Sequence, residues 1–122
     1  MVDYKIEYFE DKETLMVLLI DKSNGIVIGK LDGTIDTPTE IYITIGVNQK
    51  YQKQGYSKKL FELLFNKLKE PKYMLMESVV LDVMPINNCD VEWLTKYYEK
   101  IGFQTKNIYP NCSEVPHMVY YL

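Results

Sequence analysis

Alternating hydrophobic and polar positions fill the first third of the chain and predict β-strands. Within Asp3–Glu10, aromatic and aliphatic side chains alternate with charged ones, and the continuous apolar run Leu15–Ile20 has the length of a buried strand. Asn24-Gly25 marks a hairpin turn before Ile26–Leu31, because Asn-Gly tolerates the positive φ that such turns need. These segments predict an antiparallel meander.

The next apolar segment, Ile41–Val47, is rich in β-branched residues and predicts a central strand. Asp32-Gly33 and Thr37-Pro38 predict a second loop before it. Period-two alternation places Tyr42 and Thr44 on one face of this strand and puts four apolar side chains on the other, namely Ile41, Ile43, Ile45 and Val47.

A period of 3.6 residues replaces this alternation after the central strand and predicts a first helix. The helix starts near Ser57 and ends before Pro71, and Lys67 and Lys69 lie in its last turn, where they face water and complement the helix dipole. Its apolar stripe consists of Leu60, Phe61, Leu64 and Leu68.

The remaining chain predicts one more helix and three more strands. Ser78–Val83 is a strand that should lie parallel to Ile41–Val47 through a right-handed crossover. A second helix covers Val91–Ile101, with Asn88 or Asp90 as its N-cap. The other predicted features are a helix stop at Gly102 and two closing strands, Phe103–Tyr109 and Val115–Tyr121.

Composition narrows the class of protein. The 122 residues predict a single domain, 1–122, and a net charge of −3 argues against a nucleic-acid partner. No apolar run approaches the roughly 20 residues of a membrane span, and the acidic N-terminus lacks a signal region. We therefore expect no membrane partner and a cytoplasmic protein, in the host cytoplasm if the source is a virus. One histidine and two cysteines without metal-ligand spacing predict no metal site.

Charge is distributed unevenly around the start of the first helix. Lys50, Lys53, Lys58 and Lys59 lie within ten residues that contain no acidic side chain. Free N–H groups and the dipole make a helix N-terminus an anion site, and Gly55 lets backbone approach a ligand closely. The alternative is an ordinary solvated basic turn. The chain has no arginine, so backbone N–H groups and lysines would have to hold any phosphate.

Two short motifs resemble those of one enzyme family. The run from Gln52 to Ser57, Q-K-Q-G-Y-S, after an apolar strand and before a helix, is similar to motif A of the GNAT-superfamily N-acetyltransferases. Ser57 replaces the usual Gly or Ala. The segment Lys96–Phe103 resembles the family's motif B, a helix that ends in Tyr-x-x-x-Gly-Phe. The resemblance extends from about Glu40 to the C-terminus.

The resemblance implies an α+β fold of the GNAT-like acyl-CoA N-acyltransferase type. Such a fold has a mixed, mostly antiparallel sheet in which one central parallel strand pair splays apart at the coenzyme. Members of the family usually carry one or two helices between the first two strands, but Glu10–Thr14 leaves room for about one turn. We therefore expect these helices to be reduced or missing, and the acceptor side to be open or closed by another subunit.

The resemblance also implies acetyl-CoA as co-substrate and assigns residues to it. Ile45, Gly46 and Val47 would bond the pantetheine arm through their backbone. Lys58, with Lys59, would meet a 3′-phosphate, and Asn88 would contact the pantetheine unless it serves only as a helix cap. The expected pyrophosphate loop is Gln52, Lys53, Gln54, Gly55, Tyr56 and Ser57.

Acetyl transfer to an amine needs a proton donor for the leaving thiolate and a proton acceptor for the amine. Tyr98 has the family's spacing for the donor, although a core tyrosine would occupy the same helix face, and Tyr97 is the neighbouring alternative on a different side of the helix. Glu40 is the favoured base because it precedes the central strand. Asp82, His117 and ordered water remain alternatives, and His117 carries the side-chain type that titrates nearest neutral pH.

The resulting hypothesis is an N-acetyltransferase that moves an acetyl group from acetyl-CoA to a primary amine by direct attack through a tetrahedral intermediate. The expected acceptor is a small-molecule or protein amine. The alternative is a non-catalytic acyl-CoA-binding or protein-interaction module of the same fold. Tyr120 and Tyr121 are compatible with a homodimer surface.

Overall fold

A computed structural model describes residues 2–83, 90–106 and 116–122, which form one mixed sheet and two α-helices. The α-helices are α1 (Tyr56–Lys67) and α2 (Val91–Ile101), and single 3₁₀ turns cover Gln49–Tyr51 and Pro71–Tyr73. The sheet has the spatial order β1-β2-β3-β4-β5-β7-β6. Its strands are β1 (Tyr4–Glu10), β2 (Thr14–Asp21), β3 (Val27–Thr37), β4 (Glu40–Val47), β5 (Ser78–Asp82), β6 (Gln104–Lys106) and β7 (His117–Tyr121).

The predicted antiparallel meander is confirmed. β1 through β4 pair in sequence order, each antiparallel to the next. Gly25 closes the turn between β2 and β3 with φ 74°, the left-handed conformation that the Asn-Gly pair predicts. Asp21 anchors this turn, because its backbone N–H donates to the carbonyl of Ile26 and its carbonyl accepts from Gly25.

The predicted loop at Asp32-Gly33 is wrong, because β3 continues through both residues to Thr37. Gly33 pairs with Ile43 in the sheet. A Cβ built there would lie 2.6 Å from the Ile41 side chain and 3.1 Å from the Leu15 carbonyl. The glycine therefore allows close packing across the sheet instead of making a turn.

The prediction that Lys67 faces water is also wrong. Its side chain is only 16% exposed, and its ammonium lies 3.0 Å from both Glu10 and Glu70 and 4.6 Å from the centre of the Tyr8 ring. The ammonium sits at the C-terminal end of α1, where the dipole favours it. Lys67 thus fastens α1 to the end of β1, which no local pattern reveals.

Both helices lie on one face of the sheet. The α1 stripe predicted from the sequence, Leu60, Phe61, Leu64 and Leu68, is buried against alternate side chains of β2, β3 and β4. α2 packs beside α1 on the same face, because the Phe61 ring lies 6.0 Å from that of Tyr98 and 5.7 Å from that of Phe103. The core is therefore a single layer between the sheet and two adjacent helices.

No described helix covers the opposite face of the sheet. We call this the open face, and it carries Tyr42, Thr44, Val80, Asp82 and His117 among other residues. Only three residues separate β1 from β2, in a turn where the Asp11 carboxylate accepts from the backbone N–H groups of Glu13 and Thr14. The predicted loss of the family's N-terminal helices is thus confirmed.

The C-terminal part matches the predicted elements where it is described. α2 has both predicted bounds, Asp90 is its N-cap, and Gly102 ends it with φ 126°. The closing strands β6 and β7 are shorter than predicted within the described residues, and Asn88 lies outside those residues. None of the described helices is long and apolar enough to cross a membrane.

Candidate active site

The two central parallel strands separate after a short stretch of pairing. β4 and β5 pair only from Glu40–Ser78 to Tyr42–Val80. Beyond that point β4 stays paired with β3 as far as Val47, and β5 stays paired with β7 as far as Asp82. A gap therefore opens in the middle of an otherwise continuous sheet, at the C-terminal ends of both strands, where ligands bind in such folds.

A cleft of about 750 Å³ lies at this end of β4, between the N-terminal parts of α1 and α2. It has the size of a small-molecule site. Nine of the residues predicted to bind coenzyme or to catalyse line it: Ile45, Gly46, Val47, Gln52, Lys53, Gly55, Tyr56, Ser57 and Tyr98. Gln54 and Lys58 belong to the same loop and helix, but they are exposed and do not line the cleft.

The N-terminus of α1 presents backbone N–H groups to the cleft. Gly55 is its N-cap with φ 88°, a conformation that favours glycine, and no side chain caps this end. The first turn contains no acidic residue. Lys53 lines the cleft just before it and is the one non-glycine residue of the described chain with positive φ, at 62°. This end of the cleft is therefore suited to an anion.

A buried carboxylate anchors the loop that leads to α1. Asp21 is 3% exposed and accepts a hydrogen bond of 2.7 Å from the hydroxyl of Tyr51, which lines the cleft. Hydrogen bonds from Ser23 and then from Tyr51 lower the pKa of Asp21. The ring of Tyr51 meets that of Tyr56 edge to face. The turn between β2 and β3 thereby fixes the loop from outside the cleft.

The other wall of the cleft comes from α2 and is mostly aromatic. Trp93 is 55% exposed and stacks on Tyr97 at an interplanar angle of 5°. The Tyr97 hydroxyl shares a hydrogen bond with the Ser57 hydroxyl and so joins the two helices across the cleft. The sequence alone gives Trp93 no role and makes Tyr97 the neighbouring alternative to Tyr98, although a spacing of four places Trp93 and Tyr97 on one face of a helix.

Tyr98 combines the two readings that the sequence left open. It is only 6% exposed and packs edge to face against Phe61 and Phe103, as a core tyrosine does. It also lines the cleft. A buried phenol with one side toward a ligand site keeps a fixed orientation, which a proton donor requires.

A second depression of about 440 Å³ lies on the open face of β3 and β4. Lys30, Asp32 and Thr44 contribute side chains to it, and Lys30 and Asp32 form an ion pair of 3.1 Å. It shares Ile45, Gly46 and Val47 with the cleft. The C-terminal end of β4 therefore contributes to the cleft on one face of the sheet and to the depression on the other.

The candidate bases occupy different positions along the parallel pair. Glu40 begins β4, within the paired part. Asp82 ends β5 and accepts hydrogen bonds from the Tyr42 hydroxyl (3.0 Å) and from Nδ1 of His117 (2.9 Å). Burial, followed by the hydrogen bond to Asp82, raises the pKa of Tyr42. The structure thus brings Asp82 and His117 together and leaves Glu40 apart from them.

The residues that the structure describes contain no group of three or more His, Cys, Asp or Glu side chains that could hold an ion.

Comparisons with solved structures show the fold. The chain is 18% identical to the IAA acetyltransferase of Bacillus cereus, with a TM-score of 0.68 over 98% of this chain and 100% of that one. It is 22% identical to the ribosomal-protein-S18-alanine N-acetyltransferase of Escherichia coli, with a TM-score of 0.67 over 92% and 71%. It is 14% identical to the spermidine/spermine N-acetyltransferase of Vibrio cholerae, with a TM-score of 0.65 over 92% of this chain and 67% of that one.

No curated protein sequence matches the chain closely enough to serve as a relative. A family model described as the acetyltransferase (GNAT) family matches residues 1–103, which is most of the chain and includes both helices, the splayed strand pair and the glycine loop. The chain therefore belongs to the GNAT acetyltransferase family, and its general chemistry is acyl transfer.

Proposed function

We propose that the protein is an acetyl-CoA-dependent N-acetyltransferase that acetylates a primary amine by direct attack. The observation that carries the proposal is the cleft of about 750 Å³ in which the uncapped N-terminus of α1, the end of β4 and Tyr98 meet. Acetyl-CoA supplies a thioester, which an amine can attack without an intermediate on the enzyme. The protein has to bind, orient and exchange protons.

Binding is assigned to the α1 side of the cleft. The N–H groups at the start of α1, together with Lys53, would hold the pyrophosphate. The unpaired edge of β4 at Ile45, Gly46 and Val47 would bond the pantetheine amides as a strand does. Gln52 supports the loop, since its side-chain amide donates to the carbonyl of Val47 at 3.2 Å. Gln54, Lys58 and Asn88 stay predictions from the sequence.

Proton transfer is assigned to the edges of the gap. Tyr98 would protonate the leaving thiolate, and a backbone N–H of the splayed part of β4 would stabilise the oxyanion of the tetrahedral intermediate. The amine would arrive from the open face, whose depression shares three residues with the cleft. Glu40 was predicted as the base, and its place in the paired part of β4 gives it no special access to the gap.

The proposed geometry determines which amines can reach the site from the open face. The open face has no described helical wall, so it admits a small amine such as a polyamine as well as a protein N-terminus or a lysine side chain. The solved relatives named above include an enzyme for spermidine and spermine and one for a ribosomal-protein alanine. These two amine types are therefore the first to test.

The experiment measures release of free coenzyme A thiol from acetyl-CoA in the presence of spermidine, an alanine-starting peptide and a lysine-containing peptide. We expect release that depends on one of these amines. Calorimetry on the same sample separates the alternatives. Binding of acetyl-CoA without release under any amine would instead support a non-catalytic acyl-CoA-binding module. No binding at all would contradict both functions.

A further inference from the structure

Three polar side chains form one hydrogen-bonded unit on the open face. The Asp82 carboxylate accepts from the Tyr42 hydroxyl through one oxygen, at 3.0 Å, and from Nδ1 of His117 through the other, at 2.9 Å. The three residues belong to β4, β5 and β7, which are neighbours in the sheet. Strand register produces this arrangement, since Asp82 is paired with His117 and lies two residues beyond the partner of Tyr42.

The unit stands at the point where the gap begins. Tyr42 is the last residue of β4 that pairs with β5, and Asp82 is the last residue of β5. The hydrogen bond between them therefore crosses the mouth of the gap. Thr44 and Gly46 follow Tyr42 on the same face of β4 and line the depression there. An amine in that depression thus lies along the same strand face as the unit.

The hydrogen bond from Nδ1 fixes the chemistry of the imidazole. A neutral histidine that donates from Nδ1 to a carboxylate carries its lone pair on Nε2, so Nε2 is the atom that takes a proton. The carboxylate also holds the imidazole ring in one orientation. The His117 side chain is 33% exposed and Asp82 is 37% exposed, so the imidazole is accessible from solvent.

We infer that His117 is the general base that deprotonates the acceptor amine, that Asp82 is its positioning residue, and that Tyr42 holds Asp82 in place. This inference rests on the proposed function and replaces Glu40 with a group at the gap itself. Nε2 takes one proton from the ammonium form of the acceptor. The amine nitrogen then forms a bond to the thioester carbonyl carbon, and the C–S bond breaks.

The proton balance of this step is closed. The acceptor ammonium loses two protons in all. One leaves through Nε2 of His117 to solvent. The other reprotonates Tyr98 after Tyr98 has given its own proton to the thiolate. The products are an amide, a free thiol and one proton. No oxidant, metal or further co-reactant is required.

Four other charged or titratable groups lie on the strands around this unit. Asp36 on β3 acts on Tyr42 through its charge. Glu40 lies on β4 two residues before Tyr42, Lys106 on β6 is paired with His117, and Tyr121 on β7 carries the ammonium of Lys106 over its ring at 4.9 Å. Of these, only Lys106 is a cation beside the imidazole, and it is exposed.

The test combines an activity profile with a spectroscopic readout. kcat/KM for the accepted amine is measured from pH 5 to 9 in the parent and in His117→Gln, Asp82→Asn and Glu40→Gln. We expect His117→Gln to lower kcat/KM by roughly 100-fold and to remove the ascending limb of the profile. Asp82→Asn should lower the rate, since an amide no longer favours the Nδ1–H tautomer.

The matched control is Lys106→Gln, which changes charge beside His117 without touching the hydrogen bonds; its rate should stay within about threefold of the parent. Acetyl-CoA affinity by calorimetry should be unchanged in every variant, which separates a lost base from a lost binding site. A fold-wide defect would instead lower affinity and rate together.

His117 is the only histidine of the chain, so ¹⁵N NMR of the untagged protein reads its tautomer without assignment. We expect the Nδ1–H tautomer in the parent and a loss of that preference in Asp82→Asn. An Nε2–H tautomer in the parent overturns the proposal. So does a pH profile that survives His117→Gln but not Glu40→Gln. If the parent binds acetyl-CoA yet acetylates no amine, the proposed function fails first and the base falls with it.

Discussion

The two helices begin at the same cleft in opposite ways. α1 starts at Gly55, which has no side chain to cap the helix, and no acidic residue follows in its first turn. α2 starts at Asp90, whose carboxylate accepts from the N–H of Trp93 at 2.7 Å, and Glu92 follows it. One N-terminus thus exposes its N–H groups to the cleft, and the other satisfies them with its own chain.

This difference assigns different tasks to the two ends. A capped N-terminus with two carboxylates repels an anion, so α2 contributes to the cleft through side chains, namely Trp93, Tyr97 and Tyr98. The uncapped N-terminus of α1 gives up the hydrogen bond of a capping side chain, which at a glycine N-cap costs roughly a few tenths of a kcal/mol, and keeps its donors for a ligand. We therefore expect changes at α1 to alter coenzyme binding and changes at α2 to alter chemistry or stability.

The largest expected effect comes from reversing the charge at the start of α1. Gly55→Glu should weaken acetyl-CoA binding by roughly 100-fold, or about 2.8 kcal/mol, because it places a carboxylate at the proposed pyrophosphate site. Calorimetry measures the change. Gly25→Glu is a matched control, since Gly25 also has positive φ and a Cβ there meets nothing within 4 Å. An equal loss of affinity in both variants would attribute the effect to backbone strain.

A smaller but specific effect is expected on the α2 side. Tyr98→Phe should lower kcat by roughly 10- to 100-fold and leave the Kd of acetyl-CoA nearly unchanged, because the phenyl ring keeps its packing against Phe61 and Phe103. Tyr120→Phe removes a hydroxyl from the same aromatic cluster, outside the cleft, and should keep the parent kcat. A kcat for Tyr98→Phe equal to that of the control would leave Tyr98 with a packing role only.

Changes at the C-terminal end of α1 should alter stability and leave acetyl-CoA binding unchanged. Burial raises the pKa of Glu10, but hydrogen bonds from Lys72, Tyr73 and Lys67 outweigh it and lower the pKa to about 2. Because the folded pKa is depressed, the stabilisation is complete above about pH 4.5 and is lost as the pH falls toward 2. Glu10→Gln should cost roughly 2 kcal/mol at pH 7 and flatten the unfolding free energy across that window.

Chemical denaturation as a function of pH measures this change. Glu13→Gln, an exposed change in the neighbouring turn, is the control and should keep the parent pH dependence. An equal pH dependence in Glu10→Gln and the parent would show that the ion pairs of Glu10 add nothing to stability.

The smallest expected effect tests the cap of α2. Asp90→Asn keeps a capping side chain and removes a charge that lines the cleft, so acetyl-CoA should bind about twofold more tightly at low salt. Asp90→Ala should instead lower stability by about 1 kcal/mol. Glu92→Gln removes a charge from the same turn outside the lining of the cleft. Identical affinity gains in Asp90→Asn and Glu92→Gln would point to net charge, without a local effect.

Much of the fold was predictable because its elements carry strong periodicity. The four-stranded meander, the α1 stripe and both bounds of α2 follow from local pattern. The predicted loop at Asp32-Gly33 is wrong because Gly33 allows close packing against Ile41, and local turn chemistry does not encode that contact. The prediction that Lys67 faces water is wrong for a similar reason, since its partner Glu10 lies far away in sequence.

The candidate site was predictable where a motif marks it and not where long-range contacts build it. The glycine loop from Gln52 to Ser57 was identified from the sequence, and most of it lines the cleft. The bond between Tyr51 and Asp21 spans 30 residues, and that between Tyr42 and Asp82 spans 40. Such pairs depend on strand order and register, which no local pattern of residues specifies.

The position of Trp93 makes ligand binding in the cleft measurable by intrinsic fluorescence. It is the single tryptophan of the chain, it lines the cleft, and it lies flat against Tyr97 with more than half of its surface in solvent. A ligand that enters displaces water from the indole, so the emission of this one fluorophore should shift on binding. Coenzyme affinity, salt dependence and the order of substrate addition thus become readable from the unlabelled protein.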